Sequence, residues 1–148
     1  MRSVGEWAVQ STKDMKPDPD YIKKVLDAFR EHPDPSMDIG QLAEVGLSYQ
    51  TAEFYFHLRL LNDQGFVERD DSQPGVGVDR ASLDGGYCWS VIPLRLTADG
   101  HAFAEAMGNS KAFETVKKSL VSSSLSIMRD IAVAAFKAEL ARHGVLLG

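Results

Sequence analysis

The chain has 148 residues, 44% hydrophobic and 25% charged, which is enough apolar material for one core and an appendage. Its single cysteine, Cys88, excludes an internal disulfide framework and suits a reducing compartment. The longest apolar run, Ile131 to Phe136, falls far short of the ~20 residues a membrane helix needs, so a cytoplasmic protein without a membrane partner is expected. The net charge of −5 is unevenly spread: residues 16–106 hold eight basic and sixteen acidic side chains, whereas residues 109–148 hold six basic and three acidic.

Residues 1–14 are polar and aperiodic, contain no apolar core of signal-peptide length, and read as a flexible leader, with Met15 offering an alternative start. Asp18 and Asp20 precede Tyr21, Ile22, Val25, Leu26 and Phe29, whose spacing predicts a first helix. Pro33 and Pro35 forbid its continuation. Ile39, Leu42 and Ala43 predict a short second helix, followed by a tight turn at Val45-Gly46-Leu47. Ser48 is the expected N-cap of a third helix that runs to about Gln64, where Gly65 supplies the left-handed residue that ends it. This succession has the order of a helix-turn-helix.

Phe66 to Arg69 then reads as a short strand, "DDSQPGVGVDRASLDGG" as a long polar tip, and "YCWSVIPLRL" as the return strand, together a wing. Thr97 caps a further helix through Met107. Beyond Gly108 two helical stretches form a tail. In the second of them Leu125, Met128, Ala132 and Ala135 make one apolar stripe, and Ile127, Ile131, Ala134 and Ala138 make another. A helix with two such stripes calls for cover on two sides. The expected class is mainly α with a small β-hairpin (α+β): a winged helix-turn-helix over residues 15–108, plus a C-terminal helical extension over residues 109–148 that packs on it or dimerises.

The segments "DYIKKVLDAFREHPD", "FYFHLRLLNDQGFVE", "IPLRLTADGHAFAEAM" and "FETVKKSLVSSSLSIMRDIAVAAFKAEL" occur in the order seen in a bacterial and prophage family catalogued as domain of unknown function 2513. The marks that carry the resemblance are Phe56-His57-Leu58, Leu96-Thr97 with Gly100-His101, and the Ser-Leu opening of the last helix. It covers residues 15–145 or so. The resemblance implies a winged-helix-like fold and a phage or mobile-element setting, and it implies no activity.

The third helix is the first candidate for function. At about 100° per residue, Phe54, Leu58 and Leu61 face the core, with His57 near them. Ala52, Phe56, Arg59 and Asp63 face outward, with Glu53 and Tyr55 at the edges. In a winged helix this face commonly enters the DNA major groove, where Arg, Lys, Asn or Gln read base edges. Here Gln50, Thr51, Glu53, Tyr55 and Arg59 are the candidate readers, with Arg69 and Arg80 as backbone contacts. Set against them are Phe56, a poor residue to leave in water, and the acidic excess around it, which opposes a phosphate backbone. Three fates for this face stay open: cover by the tail, contact with another protein centred on Tyr55 and Phe56, or DNA reading.

A basic tail surface is the second candidate, comprising Lys117, Lys118, Arg129 and Lys137. Histidines 32, 57, 101 and 143 show no metal-ligand spacing. His57 and His101 could meet in space, but satisfied structural histidines are the simpler reading. Cys88, with no orienting base marked for it, is expected to be a buried or half-buried strand residue. The sequence "GVGVD" neither follows a strand nor opens a helix, so it reads as a hairpin tip instead of a phosphate loop. No metal, cofactor or catalytic residue is expected. The expected function is a non-enzymatic DNA-binding transcriptional regulator of phage or prophage type, acting as a homodimer through its C-terminal helices. The alternative is an acidic protein-interaction module that engages a host or defence protein and does not bind DNA.

Overall fold

The computed structural model describes residues 15–79, 86–119 and 124–144. The leader expected at residues 1–14, and Arg80, lie outside the described residues. Helix α1 spans Pro19–Glu31. The Asp18 carboxylate accepts from the Asp20 N–H, Pro19 sits in the first turn where no N–H is missed, and the chain turns extended at His32 before the prolines. Helix α2 spans Ile39–Glu44 and is closed by a capping box: Asp38 Oδ1 accepts from the Gln41 N–H at 2.9 Å, and Gln41 Oε1 accepts from the Asp38 N–H at 2.9 Å. Gly46, at φ +92°, makes the turn that follows.

Helix α3 spans Ala52–Asp63, and its N-cap is Thr51, not Ser48. The Ser48 hydroxyl instead accepts from the Gln50 N–H, and its carbonyl accepts from the Thr51 hydroxyl at 3.0 Å. Ser48 thus builds the turn that delivers Thr51 to the cap. Gly65, at φ +76°, ends the helix as its position predicts.

Strand β1 (Val67–Arg69) pairs antiparallel with β4 (Leu94–Leu96), Val67 facing Leu96 and Arg69 facing Leu94. On the far edge of β4, Met37 and Leu94 exchange two backbone bonds of 2.8 and 2.9 Å, which ties the entry to α2 into the same sheet. The stretch expected as one return strand is broken. Its first part, β3 (Cys88–Trp89), pairs with β2 (Val78–Asp79) inside what sequence marks as loop. Cys88 is exposed, contrary to expectation, because strand alternation turns Tyr87 and Trp89 inward and the sulfur out.

Helix α4 (Ala98–Met107) packs on α1, and α5 (Ser110–Ser119) and α6 (Leu125–Arg142) pack on each other and on α4. A single core joins Ile22, Leu26, Leu42, Phe54, Leu58, Leu61, Phe66, Leu96, Phe103, Met107, Val116 and Met128, so the tail helices share the apolar interior of the first three. The architecture is mainly helical α+β. Of the two stripes of α6, Leu125, Met128 and Ala132 are buried, whereas Ile127, Ala134 and Ala138 are exposed.

At Gly100 two stretches of backbone come close together. A Cβ on Gly100 would stand 2.0 Å from the carbonyl oxygen of Phe66. Around it, the Thr97 hydroxyl donates to the Gly65 carbonyl, and the Thr97 N–H donates to the Phe66 carbonyl at 3.0 Å. The Gly100 N–H in turn donates to Thr97 Oγ1 at 3.0 Å, capping α4. Because the obstacle is backbone, it cannot rotate aside. Gly100→Ala is expected to cost ~3 kcal/mol or more in stability, read as a fall in the urea midpoint by circular dichroism. A variant with an unchanged midpoint would show that the two backbones are not in contact.

Candidate docking face on the third helix

His57, on the inner side of α3, is 2% exposed. Its Nε2 accepts from the Asp18 N–H at 3.0 Å, so Nδ1 carries the proton, and Nδ1 lies 2.8 Å from the Glu53 carbonyl oxygen. Tyr21 packs against the imidazole with ring centroids 4.6 Å apart. His57 therefore fastens the start of α1 to α3 as a neutral structural ring. His101 is exposed elsewhere and borders a hollow with His32, Arg30 and Asp34. The two histidines do not meet, and among the described residues no group of three or more His, Cys, Asp or Glu side chains could hold a metal.

The outer side of α3 forms a hollow of about 430 Å³. Ala52, Tyr55, Phe56, Arg59, Leu60 and Asp63 of α3 line it together with Met15 and Tyr87. Among the described residues, none of α5 or α6 lines it, and Phe56 is half-buried. Tyr55 is held by its neighbours. Tyr87 stacks on it at 4.4 Å and 25°, and Trp89 meets it edge-on at 6.4 Å while also meeting Phe54 at 5.3 Å. Arg59 lies over the Tyr55 ring at 5.3 Å, and its guanidinium donates to the phenol oxygen at 2.6 Å. Tyr87 and Trp89 were not marked as site residues by sequence. Their i, i+2 spacing carried the signal, since it places both rings on one face of β3.

The other candidate groups are dispersed. Gln50 is exposed, and Thr51 is occupied by the cap, accepting from the Phe54 N–H at 3.1 Å. Arg69 forms a two-pronged pair with Asp71, at 2.9 Å through Nε and 2.5 Å through the terminal nitrogen. The hydrogen bond from Arg69, then one from the Gln73 N–H, holds the Asp71 carboxyl below the usual carboxylate range, and Asp71 in turn holds the guanidinium charged to higher pH. Arg95 pairs with Glu68 across the sheet.

The basic tail residues have different neighbours. Lys117 reaches Asp20 of α1 at 3.2 Å and lies over Phe113 at 5.4 Å. Arg129 bonds Asp130 at 2.8 Å and covers the Phe66 ring at 5.6 Å. Lys118 borders the groove between α5 and α6, and Lys137 is exposed on α6. A larger hollow of about 590 Å³, between α1 and the α2–α3 turn, has a rim of opposed charges, Lys24 against Asp27 and Glu31.

No helix among the described residues is long and apolar enough to cross a membrane. No family model, no curated protein and no solved structure matches the chain.

Tyr21 reports on the packing beneath the site. Burial, then the Glu53 carboxylate, pushes its phenol up from 10.0 to about 12, and a hydrogen bond with Thr51 offsets part of this. The folded state thus holds the proton more tightly than the unfolded chain. The contribution is fully present below pH 10.0 and is lost as pH rises through about 12. The stability of wild type relative to Tyr21→Phe is expected to fall across that window, measured as urea midpoints. Parallel curves for the two proteins would contradict a half-buried phenol that stays neutral above its ordinary range.

Proposed function

We propose that the chain is a non-enzymatic winged-helix module of the phage or prophage type suggested by its resemblance to domain of unknown function 2513, and that the outer face of α3 docks another protein. The order of α1, α2, α3 and the β1–β4 hairpin, with Met37 bridged to Leu94 as a third sheet edge, supports the winged-helix reading. The observation that carries the function is the apolar, aromatic hollow on the helix face that a DNA reader would line with free polar groups. Arg59 is drawn onto Tyr55, Arg69 onto Asp71 and Arg95 onto Glu68. Among residues 16–106, carboxylates outnumber cations two to one.

The partner that fits is a protein segment presenting an aromatic or aliphatic side chain flanked by lysine or arginine. The apolar group would fill the space over Phe56 and Leu60, and the flanking cations would meet Glu53, Asp63 and the acidic hairpin. A displayed peptide library panned against the full chain is expected to enrich such segments, and Phe56→Asp, with its fold checked by circular dichroism because Phe56 is half-buried against His57, is expected to abolish their retention. Enrichment of acidic peptides, or retention unaffected by Phe56→Asp, would overturn the reading.

The exposed Gln50 at the start of α3 favours a second reading, a DNA-binding regulator. In that case an electrophoretic shift of duplex DNA at about 50 mM salt would weaken steeply as salt rises and would be lost in Arg59→Ala. The docking reading expects no shift in either protein.

A further inference from the structure

We propose that the exposed face of α6 pairs with the same face of a second copy of the chain, antiparallel, about a two-fold axis at Ala134. With Ala134 at the centre of the face and about 100° per residue, Ile127, Ile131, Ala138 and Ala141 lie close on either side of it, and Asp130 and Lys137 share one flank. The burial of α6 agrees with this wheel. Leu125, Met128, Ala132 and Glu139 are buried on the opposite side, Ile131 at the edge of the face is half-buried against the core, and Ile127 is 49% exposed. The Asp130 side chain is 69% exposed and bonds only the neighbouring Arg129 among the described residues, a surface pair that a partner's ammonium can share.

The face is complementary to itself. A two-fold axis perpendicular to the helix reverses the direction along it but keeps each flank on its own side. Asp130 lies four residues before Ala134 and Lys137 three residues after it, so at about 1.5 Å per residue they come within about one residue's rise of each other across the axis. Each protomer thus offers a carboxylate where its partner offers an ammonium, and the pair forms twice. By the same operation Ile127 stands over Ala141 of the partner, and Ile131 over its Ala138. The alanines leave the room that the isoleucines fill, and Ala134 against Ala134 lets the helices approach closely. A parallel pairing would set Ile127 near Ile127 and place the Asp130 flank against the partner's Ile131 flank, with neither match.

This contact uses a different surface from the α3 hollow and stands or falls independently of it. One helix pair is smaller than a standard stable interface, so the dimer is expected to depend on concentration. Sedimentation equilibrium of the full chain from about 1 to 100 µM should show a monomer–dimer equilibrium. Ala134→Glu should give a monomer with unchanged circular dichroism. Lys137→Asp alone should weaken association about tenfold or more, and Asp130→Lys combined with Lys137→Asp should restore it. A chain that is monomeric throughout the range would overturn the proposal, and so would a dimer indifferent to Ala134→Glu or a charge reversal not rescued by its complement.

Discussion

The contact of Gly100 with the Phe66 carbonyl is the constraint on which the remaining geometry depends. At that point the chain leaving α3 and the chain entering α4 touch backbone to backbone, with Thr97 bonded to Gly65 and Phe66. Only a residue without a side chain permits it. The joint fixes the angle at which α3 meets the β1–β4 hairpin and sets α4 against α1, and α4 is the platform for α5 and α6. His57 supplies the second fastening, from inside α3 to the start of α1. With its inner side held at both ends, α3 turns Tyr55, Phe56 and Arg59 outward, and β3 supplies the stacked ring of Tyr87.

The pairing of the arginines bears on ligand choice through what each pair would leave behind. An exposed ion pair is worth only ~0–1 kcal/mol, so Arg69 could leave Asp71 at little cost. A phosphate that took Arg69 would then sit beside the abandoned Asp71 carboxylate, with Asp70 adjacent in sequence. The same holds for Arg95 and Glu68. Arg69 and Arg95 thus each come with an anion, and residues 16–106 carry twice as many carboxylates as cations, so the field that would draw polyanions is cancelled locally and negative overall. A partner with its own cations gains from the same arrangement.

The helices were legible in the sequence because each announces itself locally. Asp18, Thr97 and Gly65 mark boundaries that the structure keeps, and the Asp38–Gln41 box adds one that the apolar spacing alone did not show. The N-cap of α3 was misplaced by three residues because Ser48 and Thr51 are both good caps, and only the turn between them decides which is used. The hairpin was legible as a whole but not in its parts. The β2–β3 ladder is two residues long on each side, and neither strand has a pattern long enough to show its register. The candidate site was half visible for the same reason. The outward residues of α3 follow from helical period alone, whereas Tyr87 and Met15 join them only through tertiary folding. Periodicity also revealed the two stripes of α6, but which of them meets the core depends on how α4 is seated at the joint.

The central claim is that α3 presents a surface for protein and not for DNA. Amide chemical-shift mapping of the full chain, with a mixed-sequence DNA duplex added at low salt and then, separately, a lysine-flanked aromatic peptide, tests it most directly. The account predicts that the peptide moves the resonances of Tyr55, Phe56, Arg59 and Tyr87 and that the duplex leaves them in place. Salt-reversible shifts caused by the duplex along Gln50 to Arg59, with none from the peptide, would contradict it.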